Sequence, residues 1–217
     1  MGKSEKQMEK ERERNQRIID TAFRLFVERK IEAVSMDEVA KAAGVGRATL
    51  FRCYSNKTEL TIAVCASKWK AYLDRLDEMR PITSIHGIPA IERFIFTLDS
   101  YIGMYRNHKD LLQYNDNFNN YITHQTVQEK ELENFHASLS SVNTRLHMMY
   151  AKAREDKTFR TDIPEEQFLR VTVHTMMAAC IHYAGGFIWG ATDNKDYTGD
   201  LLLLKEMILN YVKNDKS

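Results

Sequence analysis

Three side chains able to bind DNA bases or phosphates lie close together near residue 50. An arginine can donate two hydrogen bonds to a guanine, and a threonine can bond to a base or pack on a thymine methyl group. Arg47, Thr49 and Arg52 supply these groups within two helical turns, and the small side chain of Ala48 lets such a helix approach closely. The segment therefore predicts a DNA-contacting surface.

A helix-turn-helix pattern positions these side chains. Ser35 and Glu38 have the spacing of a capping box, which starts a first short helix. Gly44-Val45-Gly46 ends that helix, because glycine enters left-handed conformations without a Cβ clash. A second helix is predicted over residues 47–53, and a helix-turn-helix places its second helix in the DNA major groove. Ordinary helical hairpins share the pattern, so it leaves both interpretations open.

Two helix N-termini in the same segment predict phosphate contacts. Asn56 and Glu59 predict the cap of a fourth helix, with Lys57 in its first turn. Free backbone N–H groups and a positive charge both favour a phosphate at such a position. Ser35 is placed similarly at the second helix.

The amino-acid sequence of residues 17–60 is more specific than the helix-turn-helix pattern alone. It resembles the N-terminal domain of the tetracycline-repressor (TetR) family of bacterial transcriptional regulators. The residues that fall in register are Ala22, Leu25, Phe26, Ala40, Ala43, Gly44, Val45, Thr49, Leu50, Lys57, Glu59 and Leu60. The resemblance covers about the first quarter of the chain and implies sequence-specific DNA binding.

Three residues depart from the family pattern. Gly46 replaces a usual serine, Phe51 replaces a usual tyrosine, and Cys53 stands where histidine is frequent. The phenolic bond to phosphate is therefore lost, although Phe51 is still expected to pack on the sugar edge of the backbone. Cys53 is interpreted as a small half-buried filler rather than an oxidant sensor, because only Arg52 nearby would activate a thiol.

Composition places the DNA partner at one end of the chain. Of 217 residues, 31 are Lys or Arg and 30 are Asp or Glu, and the first 57 residues hold 13 of the former and 9 of the latter. A basic end on a slightly acidic body suits a phosphate partner at that end. No apolar run reaches the ~20 residues that span a bilayer, and the N-terminus does not read as a signal peptide. A cytoplasmic protein with no membrane partner is expected.

The chain is predicted to be all-α, with two domains. A flexible arm over residues 1–15 precedes a first helix from about residue 16 to residue 29. The DNA-binding domain occupies residues 1–57, and a larger helical ligand-binding and dimerisation domain occupies residues 58–217. A fourth helix that begins after Asn56 and runs to about Met79 serves both domains. No alternating strand pattern of any length is present.

The resemblance also implies a ligand pocket in the helical body. Methionine and aromatic side chains suit a large hydrophobic ligand, although each such residue taken alone is better interpreted as part of the core. The candidate residues are Trp69, Tyr72, Tyr101, Met104, Tyr105, Tyr114, Phe118, Met148, His174 and Met177, with Tyr150 and Trp189 in the same aromatic set. His174 and His182 lack the i, i+4 spacing of a helical metal pair, and three cysteines without a C-x-x-C pair favour neither zinc nor a disulfide. No metal or other cofactor is predicted.

In the family, the last two helices pair with their copies to form a homodimer. The residues expected at that interface are Ala178, Ala179, Leu201, Leu204 and Ile208. A two-fold dimer reads a palindromic operator with half-sites ~34–36 Å apart.

These observations predict a homodimeric repressor, released from its operator when a small apolar or aromatic ligand tilts the fourth helix. An alternative keeps DNA binding but places the protein under control of a protein partner or of its own abundance. An enzyme is a remote alternative, because no G-x-G-x-x-G, Walker, H-E-x-x-H or G-x-S-x-G motif occurs.

Overall fold

The computed structural model describes residues 5–127, 129–186 and 195–213. These residues form helices and connecting loops, with no strand among them, which confirms the all-α prediction. The elements in chain order are α1 (Glu5–Arg29), α2 (Met36–Ala42), α3 (Arg47–Cys53), α4 (Lys57–Met79), a 3₁₀ turn (Ile82–Ser84), α5 (Ala90–Asn107), α6 (Lys109–Ile122), α7 (Glu129–Asp156), α8 (Glu165–Leu169), a π-helical turn (Arg170–His174), α9 (Thr175–Ala184) and α10 (Thr198–Val212).

Helix α1 begins earlier than the sequence pattern suggested. The predicted flexible arm over residues 1–15 is wrong for residues 5–15, which are helical. This segment contains no glycine or proline and consists almost entirely of strong helix formers. Opposite charges three residues apart, as in Lys10 and Glu13, add local support. The helix ends where Lys30 takes a left-handed conformation, with φ of 64°.

The helix-turn-helix forms as predicted. Ser35 Oγ accepts a hydrogen bond from the Glu38 backbone N–H at 3.2 Å, and Glu38 Oε2 accepts one from the Ser35 N–H at 2.8 Å. Gly44 has φ of +65°, which ends α2 and turns the chain. The Val45 N–H then returns to the carbonyl oxygen of Ala40 at 3.0 Å. Both the capping box and the glycine turn are therefore confirmed.

By packing, the chain divides into two compact units. The first unit contains Met1–Ala71 and Tyr114–Ser138, and the second contains Tyr72–Gln113 and Leu139–Ser217. The boundaries fall inside α4, α6 and α7. The division at residue 57, drawn from the sequence motif, follows function rather than packing and stays a prediction.

The core of the first unit joins α1, α3 and α4 to the second half of α6. Ile18, Phe26 and Leu50 are fully buried. The Tyr114 hydroxyl donates to the Thr61 carbonyl oxygen at 2.7 Å, and its ring lies 6.5 Å from that of Phe26. Helix α6 therefore completes a core that the sequence pattern assigned to the first helices alone.

The second unit has an aromatic core of its own. Phe159 and Phe168 stack with centroids 5.0 Å apart, and Phe94 and Tyr150 pack on the same two rings. In the part of the chain that the structure describes, no helix combines the length and the apolar character needed to cross a bilayer.

Candidate nucleic-acid interface

Helix α3 presents one solvent-exposed face. Arg47, Ala48, Phe51 and Arg52 are exposed, whereas Leu50 is fully buried and fixes the rotation of the helix. Thr49 is half-buried at the side of this face. The residues predicted to contact bases therefore share one helix surface, which we call the α3 face (Arg47, Ala48, Thr49, Phe51 and Arg52).

Two contacts order the arginine at the start of the α3 face. Arg47 Nη1 lies 2.9 Å from Asp37 Oδ2 on α2. The guanidinium carbon of Arg47 lies 5.4 Å from the centroid of the Phe51 ring, a cation–π geometry. Arg47 is therefore held over the surface rather than extended freely into solvent.

Helix α1 contributes positioning residues that the sequence analysis missed. Arg17 Nε donates to the carbonyl oxygen of Ala43 at 3.0 Å, at the C-terminal end of α2. Arg14 Nη2 lies 3.9 Å from the Cys53 sulfur, and the Cys53 thiol lies 3.6 Å from Asn15 Oδ1. These contacts fix the ends of α2 and α3 against α1. The available signal was the spacing of Arg14 and Arg17, which places both on one side of the helix.

The structure gives Ser35 a role inside the protein. Its hydroxyl donates to Glu38 Oε2 at 2.8 Å and accepts from the Glu38 N–H. The bond from the Ser35 backbone lowers the pKa of Glu38 to about 2, with a further contribution from the bond to Arg29. The predicted anion site at this helix N-terminus is thus occupied by the carboxylate of Glu38.

Lys57 also binds the protein rather than facing outward. Its ammonium group donates to the carbonyl oxygens of Ile31 at 3.0 Å, Glu32 at 3.1 Å and Val34 at 3.2 Å. An ammonium group has three N–H donors, so none is left for a phosphate. Lys57 therefore clamps the loop before α2, and the phosphate contact predicted for its side chain needs this correction.

The predicted cap of α4 is confirmed. Asn56 Oδ1 accepts from the Glu59 backbone N–H at 2.8 Å. Glu59 Oε2 in turn accepts from the Ser55 N–H at 2.7 Å and from its hydroxyl at 2.6 Å. The start of α4 is thus closed by neighbouring side chains.

The ten predicted ligand residues are divided between the two units. Trp69, Tyr114 and Phe118 belong to the first unit and the other seven to the second. Trp69 Nε1 donates to Asn115 Oδ1 at 3.2 Å, and the Tyr72 hydroxyl donates to the Ser100 carbonyl oxygen at 2.7 Å. Met104, Tyr105 and Tyr114 are fully buried, Tyr101 and Met148 are half-buried, and burial raises the pKa of Tyr101 to about 12. These contacts fit core packing.

One of the ten predicted ligand residues lies on the surface. His174 is exposed at the end of the π-helical turn, whereas Thr172, Val173 and Met176 around it are buried. The π-helical turn keeps residues four apart facing the core, so His174 points outward. Met177 is half-buried, and Trp189 lies outside the described residues.

A surface groove of about 980 Å³ runs beside α1 and is lined mainly by polar side chains such as Glu9, Arg12 and Gln16. None of the ten predicted residues lines that groove.

The predicted dimer residues are only partly on the surface. Ala178 is exposed and Ala179 and Leu204 are half-buried, but Leu201 and Ile208 are buried in the core. The assignment of Leu201 and Ile208 to a surface interface is wrong, because α10 carries apolar residues on both faces. Its exposed apolar residues, which we call the α10 stripe, are Leu202, Leu203, Met207 and Tyr211.

Comparison with known proteins shows which family the helix-turn-helix segment resembles. Residues 18–64 match the sequence profile of the bacterial regulatory proteins of the tetR family. An uncharacterized HTH-type transcriptional regulator of Mycobacterium tuberculosis is 47% identical over 47 residues, which are 22% of this chain and 23% of the relative. The match thus spans about a quarter of that curated relative. The N-terminal segment thus resembles the DNA-binding segment of the tetR family, and the matched relative is named as a transcriptional regulator.

Solved structures share the whole fold at low identity. A putative transcriptional regulator from Saccharomonospora viridis, in complex with choline, is 16% identical with a TM-score of 0.67, and the alignment covers 93% of this chain and 98% of that one. Thermus thermophilus FadR, a TetR-family repressor in complex with lauroyl-CoA, is 21% identical with a TM-score of 0.59, covering 94% and 97% of the two chains. At these identities the likeness shows the fold alone.

Proposed function

We propose that this chain is a sequence-specific DNA-binding transcriptional regulator that reads the major groove with α3. The observation that carries the proposal is the α3 face, an exposed helix surface bearing Arg47 and Arg52 and fixed from beneath by buried Leu50. A helix of this kind in a helix-turn-helix presents its N-terminal residues to base edges. The match of residues 18–64 to the tetR family profile supports the same assignment.

The residues of the α3 face take different roles in this proposal. Arg47 and Thr49 contact bases, Arg52 reaches a base or a phosphate, and Phe51 packs on the sugar edge of the backbone. Ala48 permits close approach. Ser35 and Lys57 act indirectly, because their side chains hold the loop and the cap that set the position of α2.

The regulator acts as a homodimer in this proposal. The α10 stripe supplies exposed apolar area, and Ala178 on α9 is small enough to allow close helix approach. A two-fold pair binds a palindromic operator with half-sites ~34–36 Å apart. In this proposal the bound dimer occupies a promoter and represses transcription from it.

Release by a small ligand is the proposed form of control. Regulators with this fold include one in complex with choline and one in complex with lauroyl-CoA. For this chain we propose an apolar or aromatic ligand within the helical body, because the candidate residues there, apart from His174, are methionine and aromatic side chains. A ligand releases DNA only if it binds the released state more tightly than the DNA-competent state.

A second candidate keeps DNA binding and places control in a protein partner or in protein abundance. The packed state of the predicted pocket residues favours it, since Tyr72 and Trp69 already have hydrogen-bond partners within the protein. Titrating fatty acyl and aromatic compounds into the protein–DNA complex separates the two. Ligand control requires loss of DNA affinity at saturation, whereas the second candidate predicts none.

Selection of binding sites from random duplex DNA tests the proposed function. Recovered sequences should converge on a palindrome, and Arg47→Ala should lose about 1–3 kcal/mol of binding and relax one position in each half-site. Arg24→Ala, on the exposed side of α1 and paired with Glu28, is the matched control and should leave the preference intact. Failure of any sequence to enrich would refute the proposed function.

A further inference from the structure

Asp37 and Arg47 form an ion pair on the surface proposed to contact DNA. The pair joins the first turn of α2 to the first turn of α3, with Asp37 Oδ2 at 2.9 Å from Arg47 Nη1. The two side chains are 57% and 70% exposed, respectively. The same guanidinium group lies over the Phe51 ring, with its carbon 5.4 Å from the ring centroid. A carboxylate is therefore held where a phosphate-binding surface would gain more from a neutral or basic residue.

The neighbouring acidic residue has a different task. Glu38 accepts from the Ser35 backbone and hydroxyl and from Arg29 Nη1 at 2.7 Å, so it closes the N-terminus of α2. Asp37, one residue earlier, directs its carboxylate to Arg47 on the next helix. Glu38 thus caps α2, and Asp37 orients an arginine on the α3 face.

The geometry of a guanidinium group decides which DNA contact is compatible with this ion pair. Arginine has five N–H donors in a planar fork. With Nη1 bound to Asp37, the edge formed by Nε and Nη2 can still donate two hydrogen bonds to guanine N7 and O6. A phosphate that approaches Arg47, by contrast, brings its negative charge next to the Asp37 carboxylate, where like charges repel.

We propose that Asp37 is a specificity-determining residue. It holds Arg47 by Nη1, directs the Nε–Nη2 edge to one guanine in each half-site, and weakens binding to DNA that offers only phosphates. This inference rests on the proposed DNA-binding function and adds to it the residue that suppresses non-specific binding. Within this ion pair Arg47 makes the guanine contact, and Asp37 positions it.

The test compares the selected duplex with a scrambled duplex of the same length and composition. Asp37→Asn keeps the side-chain shape and removes the charge. The ratio of the two dissociation constants should fall at least ~5-fold, since one bidentate base contact is worth about 1–3 kcal/mol of discrimination. The scrambled duplex should bind Asp37→Asn more tightly than it binds the wild type, and the preference for guanine at the contacted position should weaken. Circular dichroism checks that the variant is folded.

Two further variants separate positioning from net charge. Glu32→Gln removes the same charge from an exposed loop residue of the first unit and should leave the ratio unchanged. Adding Asp37→Asn to Arg47→Ala should give the same ratio as Arg47→Ala alone, because the arginine that Asp37 positions is gone.

The outcomes distinguish this inference from the proposed function. If the wild-type protein prefers its selected duplex and Asp37→Asn keeps the full ratio, the inference about Asp37 is overturned and the proposed function stands. Equal shifts for both duplexes in Asp37→Asn and Glu32→Gln assign the effect to net charge and overturn it as well. A wild-type protein without sequence preference overturns the proposed function and this inference together.

Discussion

Lys57 Nζ donates a hydrogen bond to the carbonyl oxygen of Ile31 at 3.0 Å, across 26 residues of sequence. The same ammonium group binds the carbonyl oxygens of Glu32 and Val34. The first turn of α4 is thereby tied to the loop that leads into α2. The position of the helix-turn-helix thus depends on a lysine that belongs to the following helix.

Replacing Lys57 with methionine should therefore destabilise the protein. The change removes the ammonium donor from three carbonyl oxygens, of which that of Ile31 keeps only the Val34 N–H at 3.3 Å. Leaving a buried acceptor without its donor costs about 1–3 kcal/mol. Urea unfolding monitored by circular dichroism measures the loss. Lys41→Met, at an exposed position on α2, is the control and should change the free energy of unfolding by less than ~0.5 kcal/mol.

The same variant separates a clamp from a phosphate contact. If Lys57 bound a phosphate in the complex, its loss would reduce the salt dependence of DNA binding by ~0.9 in the log–log slope. An unchanged slope for folded Lys57→Met is expected here, because the three donors already bind carbonyl oxygens. A reduced slope would restore the original assignment of Lys57 to the DNA interface.

The α10 stripe predicts the oligomeric state. Leu203→Glu combined with Met207→Glu introduces two charges at side chains that are 57% and 61% exposed. The dissociation constant of the dimer should increase by at least ~30-fold, since truncating a central interface residue costs about 2 kcal/mol or more. Sedimentation equilibrium measures it. Met79→Glu makes the same chemical change at another exposed methionine and should leave the dimer intact.

Acid should weaken the α2 cap in a defined range of pH. The pKa of Glu38 is lowered from 4.5 to about 2 in the folded protein. Because the folded pKa lies below the unfolded one, the carboxylate contributes its full stabilisation above pH 4.5 and loses it as the pH falls towards 2. Glu38→Gln should therefore flatten the decline of the free energy of unfolding over this range. A wild-type Glu38 carboxyl that titrates near 4.5 by NMR would contradict the capping box.

The three cysteines should differ in reactivity. Cys65 and Cys180 are fully buried, and burial raises the pKa of Cys180 to about 12 and that of Cys65 well above its usual range. Cys53 is half-buried. A thiol reagent at mildly alkaline pH should modify one thiol per folded chain, and Cys53→Ser should abolish that fast phase. Rapid modification of all three in the folded protein would contradict this packing.

The parts of the fold that sequence predicts well are those set by residues close in the chain. The capping box of Ser35 and Glu38 and the left-handed Gly44 each depend on a few consecutive residues, and both were predicted. The start of α1 differs from the prediction although its cause is local, because a charged segment without an apolar stripe is typical of a flexible arm. Helix propensity alone extends that helix to Glu5.

The parts that sequence did not predict depend on distant packing. Arg17 meets Ala43 across 26 residues, and Arg14 meets Cys53 across 39. Neither contact has a local pattern, because a bond to a backbone carbonyl oxygen or to a sulfur requires no particular neighbour. In α10, leucines on both faces hid which ones are buried, and only the packing against α5 and α9 places Leu201 inside.

Amide hydrogen exchange of the wild-type protein with its selected duplex tests the central claim most directly. If α3 lies in the major groove, residues 46–53 should gain protection in the complex, and α10 (Thr198–Val212) should gain none beyond that of the DNA-free dimer. The scrambled duplex at equal occupancy should protect α3 less. A complex that forms with the selected duplex while exchange in α3 stays unchanged would contradict the assignment of α3 as the DNA-reading helix.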